Sequence, residues 1–229
     1  MTPLVLLPGM MCDARLWGPQ MAALGRRTVI HAAITEADRI EDLAAQVLGD
    51  APPRFALAGL SMGGIVAMEI VRQAPDRVER LALLDTNPRA ELPGVRAARA
   101  PQIARVRAGA LRDILRDEMK PNYLANGPGK QAILDLCMKM ALDLGPEVFE
   151  RQSLALASRP DQQETLRRYR GPALVLMGEA DRLCPRDRHD LMHALMPQSR
   201  LAIGPSSGHL PTLEQPQTTT AALLRWLEE

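Results

Sequence analysis

Short apolar runs alternate with amphipathic runs over residues 1–88, and this rhythm constrains the fold more than any other feature of the sequence. The first run, Leu4 to Leu7, stops at Pro8-Gly9, as a buried strand stops at a turn. Three later runs are also predicted as strands, namely Thr28 to Ile34, Arg54 to Leu60 and Val78 to Leu84. Helices are predicted between them at 13–24, 38–48 and 62–74. Strands that alternate with helices form parallel β-α-β units with both faces of the sheet covered.

This alternation is interrupted once, after Asp85. Between Pro88 and Arg168 no strand is predicted, and Pro and Gly separate helical patterns at 95–119, 131–144, 147–157 and 162–168. The alternation then returns with strands at 173–177 and 200–203 and helices at 187–195 and 217–227. We therefore predict an α/β core made of residues 1–88 and 170–229, interrupted by a helical insertion of residues 89–169.

The composition excludes several classes of function. The chain has 229 residues and a formal net charge of +1, which gives no electrostatic reason to bind nucleic acid or an anionic membrane. The three cysteines, Cys12, Cys137 and Cys184, form no C-x-x-C pair, which argues against a structural zinc site or a disulfide framework. No signal-peptide or membrane-spanning pattern is present. We expect a cytoplasmic protein without a metal or cofactor, either a monomer or a homodimer.

The segment Gly59-Leu60-Ser61-Met62-Gly63 carries the most chemical information. It matches G-x-S-x-G and lies between a predicted buried strand and a predicted helix, where this motif holds a serine on a sharp, strained turn. The glycines let the strand and helix approach closely, and the helix N-terminus favours developing negative charge. The alternative is a glycine-rich turn with a capping serine. The flanking strand and helix favour Ser61 as a nucleophile.

A nucleophilic serine needs a general base. His209 follows the last predicted strand, which places it at the carboxyl edge of the sheet, where Ser61 also lies. His31 falls inside a strand. His189 and His193 are four residues apart in a predicted helix, but no Cys, Asp or Glu at a matching spacing supports a metal pair, so solvated positions are predicted for them. His209 is therefore the predicted base.

An acid must orient that base, and the sequence offers more than one. Asp181 follows the strand at 173–177, and Asp85 ends the strand after the nucleophile helix. Asp181 is favoured because the order Ser61, Asp181, His209 is the one expected on this type of scaffold. Asp85 is more simply explained as a turn residue that hydrogen-bonds nearby amides. Glu179 is a weaker third choice.

Acyl transfer also needs hydrogen-bond donors for the oxyanion. One is predicted to be the backbone N–H of Met62, directly after the nucleophile. The other should come from the loop after the first strand, where Gly9 permits a tight turn and leaves the N–H of Met10 or Met11 aimed at the same point. The alternative is an ordinary strand-to-helix turn.

Four motifs in this order and spacing carry a resemblance to a known family: Leu6-Leu7-Pro8-Gly9-Met10, Gly59-Leu60-Ser61-Met62-Gly63-Gly64, Gly178-Glu179-Ala180-Asp181 and Gly208-His209. The sequence resembles the α/β-hydrolase superfamily, within its small capped serine esterases, lactonases, thioesterases and C–C bond hydrolases. Arg159-Pro160-Asp161 resembles a further recurrent feature of that group. The insertion matches only in being helical.

The sequence departs from the family pattern in two ways. Pro8 stands where the family usually has a histidine before the glycine of the oxyanion loop. The chain also starts at what would be the family's third strand, without the antiparallel N-terminal hairpin. The resemblance therefore implies a mostly parallel α/β-hydrolase sheet of about six strands with a helical cap.

The expected function is that of a cofactor-independent serine hydrolase that cleaves a small, mostly apolar carboxylic ester, thioester or lactone through an acyl-enzyme. The alternatives are a C–C bond hydrolase or lyase with the same triad, and a non-catalytic homologue that binds a small ligand. The insertion is expected to cover the site. Its apolar residues Leu124, Leu134, Met138 and Leu142 suggest an acyl or alkyl pocket, although a role in the core of the cap is favoured for each.

Overall fold

A six-stranded sheet forms the centre of the computed structural model, which describes residues 1–228. The strands are β1 (Leu4–Leu7), β2 (Val29–His31), β3 (Phe55–Leu60), β4 (Val78–Leu84), β5 (Ala173–Gly178) and β6 (Arg200–Gly204). They lie in the order β2-β1-β3-β4-β5-β6, and every neighbouring pair is parallel. The predicted α/β fold with a parallel sheet of about six strands is confirmed.

Helices cover both faces of the sheet. They are α1 (Gly18–Leu24), α2 (Ile40–Asp50), α3 (Met62–Gln73), α4 (Pro93–Arg105), α5 (Leu111–Ile114), α6 (Lys130–Leu144), α7 (Pro146–Ala157), α8 (Gln163–Arg168), α9 (Arg186–Leu195), α10 (Pro211–Glu214) and α11 (Pro216–Glu228). Every residue of β1, β3 and β5 is buried, which explains why these strands read as unbroken apolar runs.

Successive side chains of each strand point to opposite faces and so divide the core in two. Val5 and Leu7 of β1 pack in one cluster with residues of α2, α3, α8 and α9. Leu4 and Leu6 pack in a second cluster, which includes Trp226 of α11 and residues of α1. The strands thereby bring their carboxyl ends, and the loops that follow them, to one edge of the sheet.

Two predicted elements differ from the structure. The strand predicted from Thr28 to Ile34 contains only Val29–His31, because it is an edge strand that pairs with β1 alone over three residues. The single helix predicted over 95–119 is divided into α4, α5 and wide turns at 106–110 and 115–119. Gly109 has φ +93°, a left-handed conformation that ends a regular helix.

The helical segment between β4 and β5 has a core of its own. Ile103, Val106, Ile114 and Phe149 are buried together there, and Met11 from the loop after β1 joins this cluster. The segment therefore rests on the carboxyl edge of the sheet through that loop. Within the described part of the chain, no helix combines the length and the apolar character needed to cross a membrane.

Candidate active site

Ser61 occupies the sharp turn between β3 and α3. Its backbone angles, φ 55° and ψ −115°, lie in a region that residues other than glycine rarely adopt. Neighbouring groups hold this strained conformation. The N–H of Ser61 donates to the carbonyl of Leu84 (2.8 Å), while its own carbonyl accepts from the N–H of Gly64 (2.9 Å) and from Oγ1 of Thr86 (2.7 Å).

Two positions next to the turn at Ser61 must be glycine, because there is no room there for a side chain. A Cβ atom on Gly59 would lie 2.2 Å from the carbonyl oxygen of Gly63, and one on Gly63 would lie 2.5 Å from the carbonyl oxygen of Leu7. Contacts this short with backbone atoms cannot be relieved by moving a side chain. The close approach of β1, β3 and α3 therefore depends on both glycines, as the motif predicted.

The structure brings Ser61, Asp181 and His209 into one hydrogen-bonded chain. Nε2 of His209 lies 2.9 Å from Oγ of Ser61, and Nδ1 lies 2.9 Å from Oδ2 of Asp181. Asp181 and His209 are buried, and Ser61 is half-buried. The three residues come from the loops after β5, β6 and β3, so the parallel sheet brings together side chains that are far apart in sequence.

The second carboxylate oxygen of Asp181 accepts hydrogen bonds from two backbone N–H groups. Oδ1 accepts from the N–H of Leu183 (2.8 Å) and the N–H of Cys184 (3.0 Å). Burial alone would raise the pKa of Asp181, but the contact with His209 and the backbone N–H groups hold that pKa well below its usual range. Asp181 is therefore an anion placed against the imidazole.

The other two candidate acids lie elsewhere. Asp85 is fully buried at the end of β4, and its Oδ1 accepts from the N–H of Gly178 (2.9 Å). Burial raises the pKa of Asp85 well above its usual value, and the neighbouring carboxylate of Asp181 raises it further. Glu179 is exposed and accepts from the N–H of Ser206 (3.3 Å). Neither contacts His209, so the structure places Asp181 in the position predicted for the acid.

The remaining histidines lie outside the hydrogen-bonded chain. Nε2 of His31 is 3.2 Å from Sδ of Met21, and Nδ1 of His193 is 2.8 Å from Oγ of Ser199. His189 differs from the solvated position predicted for it, because it is fully buried on the inner face of α9. Burial lowers the pKa of His189 to about 4.

Glu214 fixes the loop that carries His209, a role that the sequence analysis did not identify. Its carboxylate accepts from the N–H groups of Gly208 (2.9 Å), Leu210 (3.1 Å) and Ala125 (2.8 Å). A backbone bond from the N–H of His209 to the carbonyl of Tyr123 (2.7 Å) adds to this. Glu214 lies five residues after His209 in the sequence. This position alone did not reveal its role, because its partners are backbone N–H groups, which every residue except proline has.

The loop after β1 lies against Ser61. A Cβ atom on Gly9 would lie 3.5 Å from Cβ of Ser61, an ordinary contact distance. The N–H of Met11 donates to Oε1 of buried Gln152 (2.8 Å), so this N–H is engaged elsewhere and Met10 is the remaining candidate donor in the loop. The N–H of Met62 is in the first turn of α3, where backbone N–H groups have no partner within the helix.

A cavity of about 390 Å³ opens over Ser61. Its wall includes Met10, Met62 and His209, and apolar residues such as Ile65 and Leu156. Three of its other lining residues, Leu92, Val95 and Leu183, are large apolar side chains exposed to solvent. Leu124, Leu134, Met138 and Leu142 are not among its lining residues; they pack in the apolar clusters, in agreement with the favoured core role.

One group of side chains has the spacing of a metal site. Among residues 1–228, the group of three potential ligand atoms belongs to Asp181, Cys184 and His209, which lie within 4.8 Å of one another. Asp181 and His209 already contact each other, Nδ1 of the imidazole lying 2.9 Å from Oδ2 of the carboxylate. Burial raises the pKa of the Cys184 thiol well above its usual value, and a protonated thiol is a poor ligand. The arrangement suits proton transfer better than metal binding.

Comparison with known proteins agrees with this geometry. The family model described as "Alpha/beta hydrolase family" matches residues 4–223. A thermophilic esterase from Thermogutta terrifontis is 30% identical and superposes with a TM-score of 0.90, covering 100% of this chain and 90% of that one. The pimeloyl-[acyl-carrier protein] methyl ester esterase of Nitrosomonas europaea is 26% identical over 93% of this chain and 91% of its own length.

The enol-lactonase from Burkholderia xenovorans LB400 shares the fold. It superposes with a TM-score of 0.87 at 22% identity, over 100% of this chain and 92% of its own. The matched region runs through all six strands and through each of the motifs on which the resemblance was based. The chain belongs to the alpha/beta hydrolase family.

Proposed function

We propose that this protein is a serine hydrolase that cleaves small, mostly apolar carboxylic esters through an acyl-enzyme. One observation carries the proposal. His209 contacts Ser61 through Nε2 and Asp181 through Nδ1, both at 2.9 Å, at the floor of a cavity that can hold a small molecule. An ester hydrolase is what the sequence predicted, and the esterases among the relatives agree with it.

In the proposed first step, Oγ of Ser61 attacks the ester carbonyl carbon while Nε2 of His209 takes the hydroxyl proton. Asp181 accepts a hydrogen bond from Nδ1–H and stabilises the imidazolium that forms. The bond between the acyl carbon and the alkoxy oxygen then breaks, and His209 delivers the proton to the departing alcohol. The acyl group stays on Ser61.

In the second step, His209 takes a proton from water, and the resulting hydroxide attacks the acyl carbon. The bond to Oγ breaks, Ser61 regains its proton, and a carboxylic acid leaves. Both tetrahedral intermediates carry a negative oxygen. We propose the backbone N–H groups of Met10 and Met62 as its donors, because both residues line the cavity beside Ser61 and the N–H of Met11 is bonded to Gln152.

We further propose that residues 89–169 act as a cap over the site. Ten residues of this segment line the cavity, whose apolar rim of Leu92, Val95 and Leu183 suits an alkyl or acyl chain. The name of the Nitrosomonas relative specifies a methyl ester as its scissile bond. Simple alkyl esters with small alcohol leaving groups are therefore the substrates to test first.

The test is hydrolysis of p-nitrophenyl esters from acetate to decanoate by the wild type and by Ser61→Ala. Loss of the nucleophile should lower kcat by several orders of magnitude. Ser199→Ala is a matched control, because Ser199 precedes β6 at the opposite edge of the sheet. This control should keep wild-type activity. A folded Ser61→Ala that retains a tenth of wild-type kcat would contradict the proposal.

A further inference from the structure

The wall of the active-site cavity carries an excess of positive charge. Four arginines line it, Arg89, Arg99, Arg159 and Arg188, but Glu91 is the one carboxylate among its lining residues. These arginines come from four places in the chain: Arg89 lies before α4, Arg99 within α4, Arg159 after α7 and Arg188 within α9. A cavity for a neutral, fully apolar molecule does not need this arrangement.

Two carboxylates form ion pairs with the four guanidinium groups. Glu91 accepts from Arg99 (Nη2 to Oε2, 2.6 Å) and contacts Arg159 (Nη2 to Oε1, 3.1 Å). On the other side, Asp187 contacts both Arg89 (3.0 Å) and Arg188 (2.5 Å). These four positive and two negative side chains together carry an excess of two positive charges.

Arg159 is the most deeply placed of these cations. Its side chain is 10% exposed, compared with 15% for Arg99 and 23% for Arg188. Burial lowers the pKa of its guanidinium, and the neighbouring Arg99 and Arg188 act in the same direction, so the three positive groups lie close together. An arginine side chain nevertheless stays charged at any working pH.

The buried cation also has spare hydrogen-bonding capacity. Nε of Arg159 is buried and has no hydrogen-bond partner among the described residues, and the same holds for Nε of Arg188. A buried donor on a charged group is costly without an acceptor. Because both arginines line the cavity, an anionic group inside it would pair with their guanidinium groups and offset the excess charge.

We propose that Arg159, supported by Arg99 and Arg188, forms a carboxylate subsite, and that the preferred substrates are esters with a free carboxylate at the end of an apolar chain. Half-esters of dicarboxylic acids are the simplest members of this class. The planar guanidinium fork matches a carboxylate. The apolar residues of the same cavity, such as Ile65 and Leu156, would contact the methylene chain. This inference rests on the proposed ester hydrolysis at Ser61.

The test compares monomethyl adipate with dimethyl adipate, which differ in one negative charge, and methanol release gives kcat/KM for each. The wild type should prefer monomethyl adipate. Arg159→Gln should lower kcat/KM for monomethyl adipate by roughly 10- to 100-fold, as expected for a lost hydrogen bond to a charged group, and should lower that for dimethyl adipate much less. Arg105→Gln is the matched control, because Arg105 is an exposed arginine of α4 that pairs with Glu118 and does not line the cavity. It should leave the preference unchanged.

A second arginine variant and a direct binding measurement test the carboxylate subsite even if Arg159→Gln does not fold. Arg188→Gln, at a more exposed arginine, replaces Arg159→Gln if that variant fails to fold, and should also reduce the preference. Calorimetry with adipate on the wild type measures anion binding without turnover. Equal kcat/KM for the two esters together with no adipate binding would overturn the subsite while leaving ester hydrolysis intact. Adipate binding without hydrolysis of any ester would instead retain the subsite and contradict the proposed function.

Discussion

Asp181 and Asp85 lie at the ends of the neighbouring strands β5 and β4, yet only Asp181 contacts His209. The two carboxyl groups interact electrostatically, and their pKa values shift in opposite directions. Asp181 is held as an anion by His209 and backbone N–H groups, whereas burial favours the protonated form of Asp85. A protonated Asp85 would be able to donate its O–H to Asp181, so we propose a supporting role for Asp85 and propose Asp181 as the acid that orients the base.

The two aspartates should respond differently to replacement by asparagine. Asp181→Asn removes the charge against Nδ1 and favours the wrong imidazole tautomer, so kcat should fall by roughly 10⁴-fold. Asp85→Asn keeps an acceptor for the N–H of Gly178 and a donor towards Asp181, so kcat should stay within roughly 10-fold of wild type, with a stability change below about 3 kcal/mol. Both are measured on folded protein with active-site titration. The opposite ranking would transfer the role of the acid to Asp85.

Glu214 should act as a positioning residue for His209. Glu214→Ala leaves three backbone N–H groups without their acceptor, two of them on either side of His209. Displacement of the imidazole should lower kcat by roughly 10- to 100-fold with a smaller change in KM. Glu214→Gln keeps one oxygen acceptor and should recover part of the loss.

Glu164→Ala is the control for this prediction, because Glu164 is an exposed acid of α8 that pairs with Arg168 at the surface. It should behave as wild type in both kcat and KM. If Glu214→Ala also retained full kcat, the loop would not depend on this carboxylate.

Gly59 should tolerate no side chain. In Gly59→Ala the new Cβ would lie 2.2 Å from the carbonyl oxygen of Gly63, which forces β3 and α3 apart. We expect a loss of about 3 kcal/mol or more in the free energy of unfolding, measured by urea denaturation. Gly49→Ala in α2 is the matched control, because nothing lies within 4 Å of its Cβ position and the change should stabilise the helix by roughly 0.5–1 kcal/mol. Equal stability of the two variants would show that the close approach is unnecessary.

Buried His189 should make the protein sensitive to acid. The pKa of His189 is about 4 in the folded protein and about 6.5 in an unfolded chain, so between these values the unfolded state binds more protons. Stability therefore rises with pH across this window and is lost as the pH falls, by about 2 kcal/mol between pH 6.5 and 5. His189→Leu removes this dependence. Urea unfolding at pH 7 and pH 5 should give a smaller difference for the variant than for the wild type; equal differences would mean that His189 titrates normally.

Features encoded by local patterns could be predicted from the sequence. The central strands are unbroken apolar runs because both of their faces are buried. The turn at Ser61 has glycines at the two positions where a Cβ atom would collide with the backbone of a neighbouring segment. Edge strand β2 was overestimated because Ile34 is apolar for another reason: it packs in the core beyond the end of the strand. The 95–119 region is divided where Gly109 adopts a left-handed conformation, which the periodicity of its apolar residues does not reveal.

Those residues of the site whose position follows from the order of strands and loops could also be predicted from the sequence. Ser61 and His209 follow strands, so topology alone brings them to one edge of the sheet. Asp181 was favoured over Asp85 from the order of the three residues along the chain, and the folded chain adds the contact between Asp181 and the imidazole. The role of Glu214 was not predicted because its partners are backbone N–H groups. Arg159 was noted only as part of a recurrent motif, and its pairing with Glu91 was not predicted because the two residues are far apart in the sequence.

The most direct test of the account is covalent labelling with a fluorophosphonate, which reacts with an activated serine and loses fluoride. We predict that the wild type gains one adduct per chain by intact mass, and that peptide mapping places it on Ser61. Ser61→Ala should gain none, and Asp181→Asn should label far more slowly because its imidazole is poorly oriented. A folded wild type that stays unlabelled, or that carries the adduct on another residue, would contradict the assignment of Ser61 as the nucleophile.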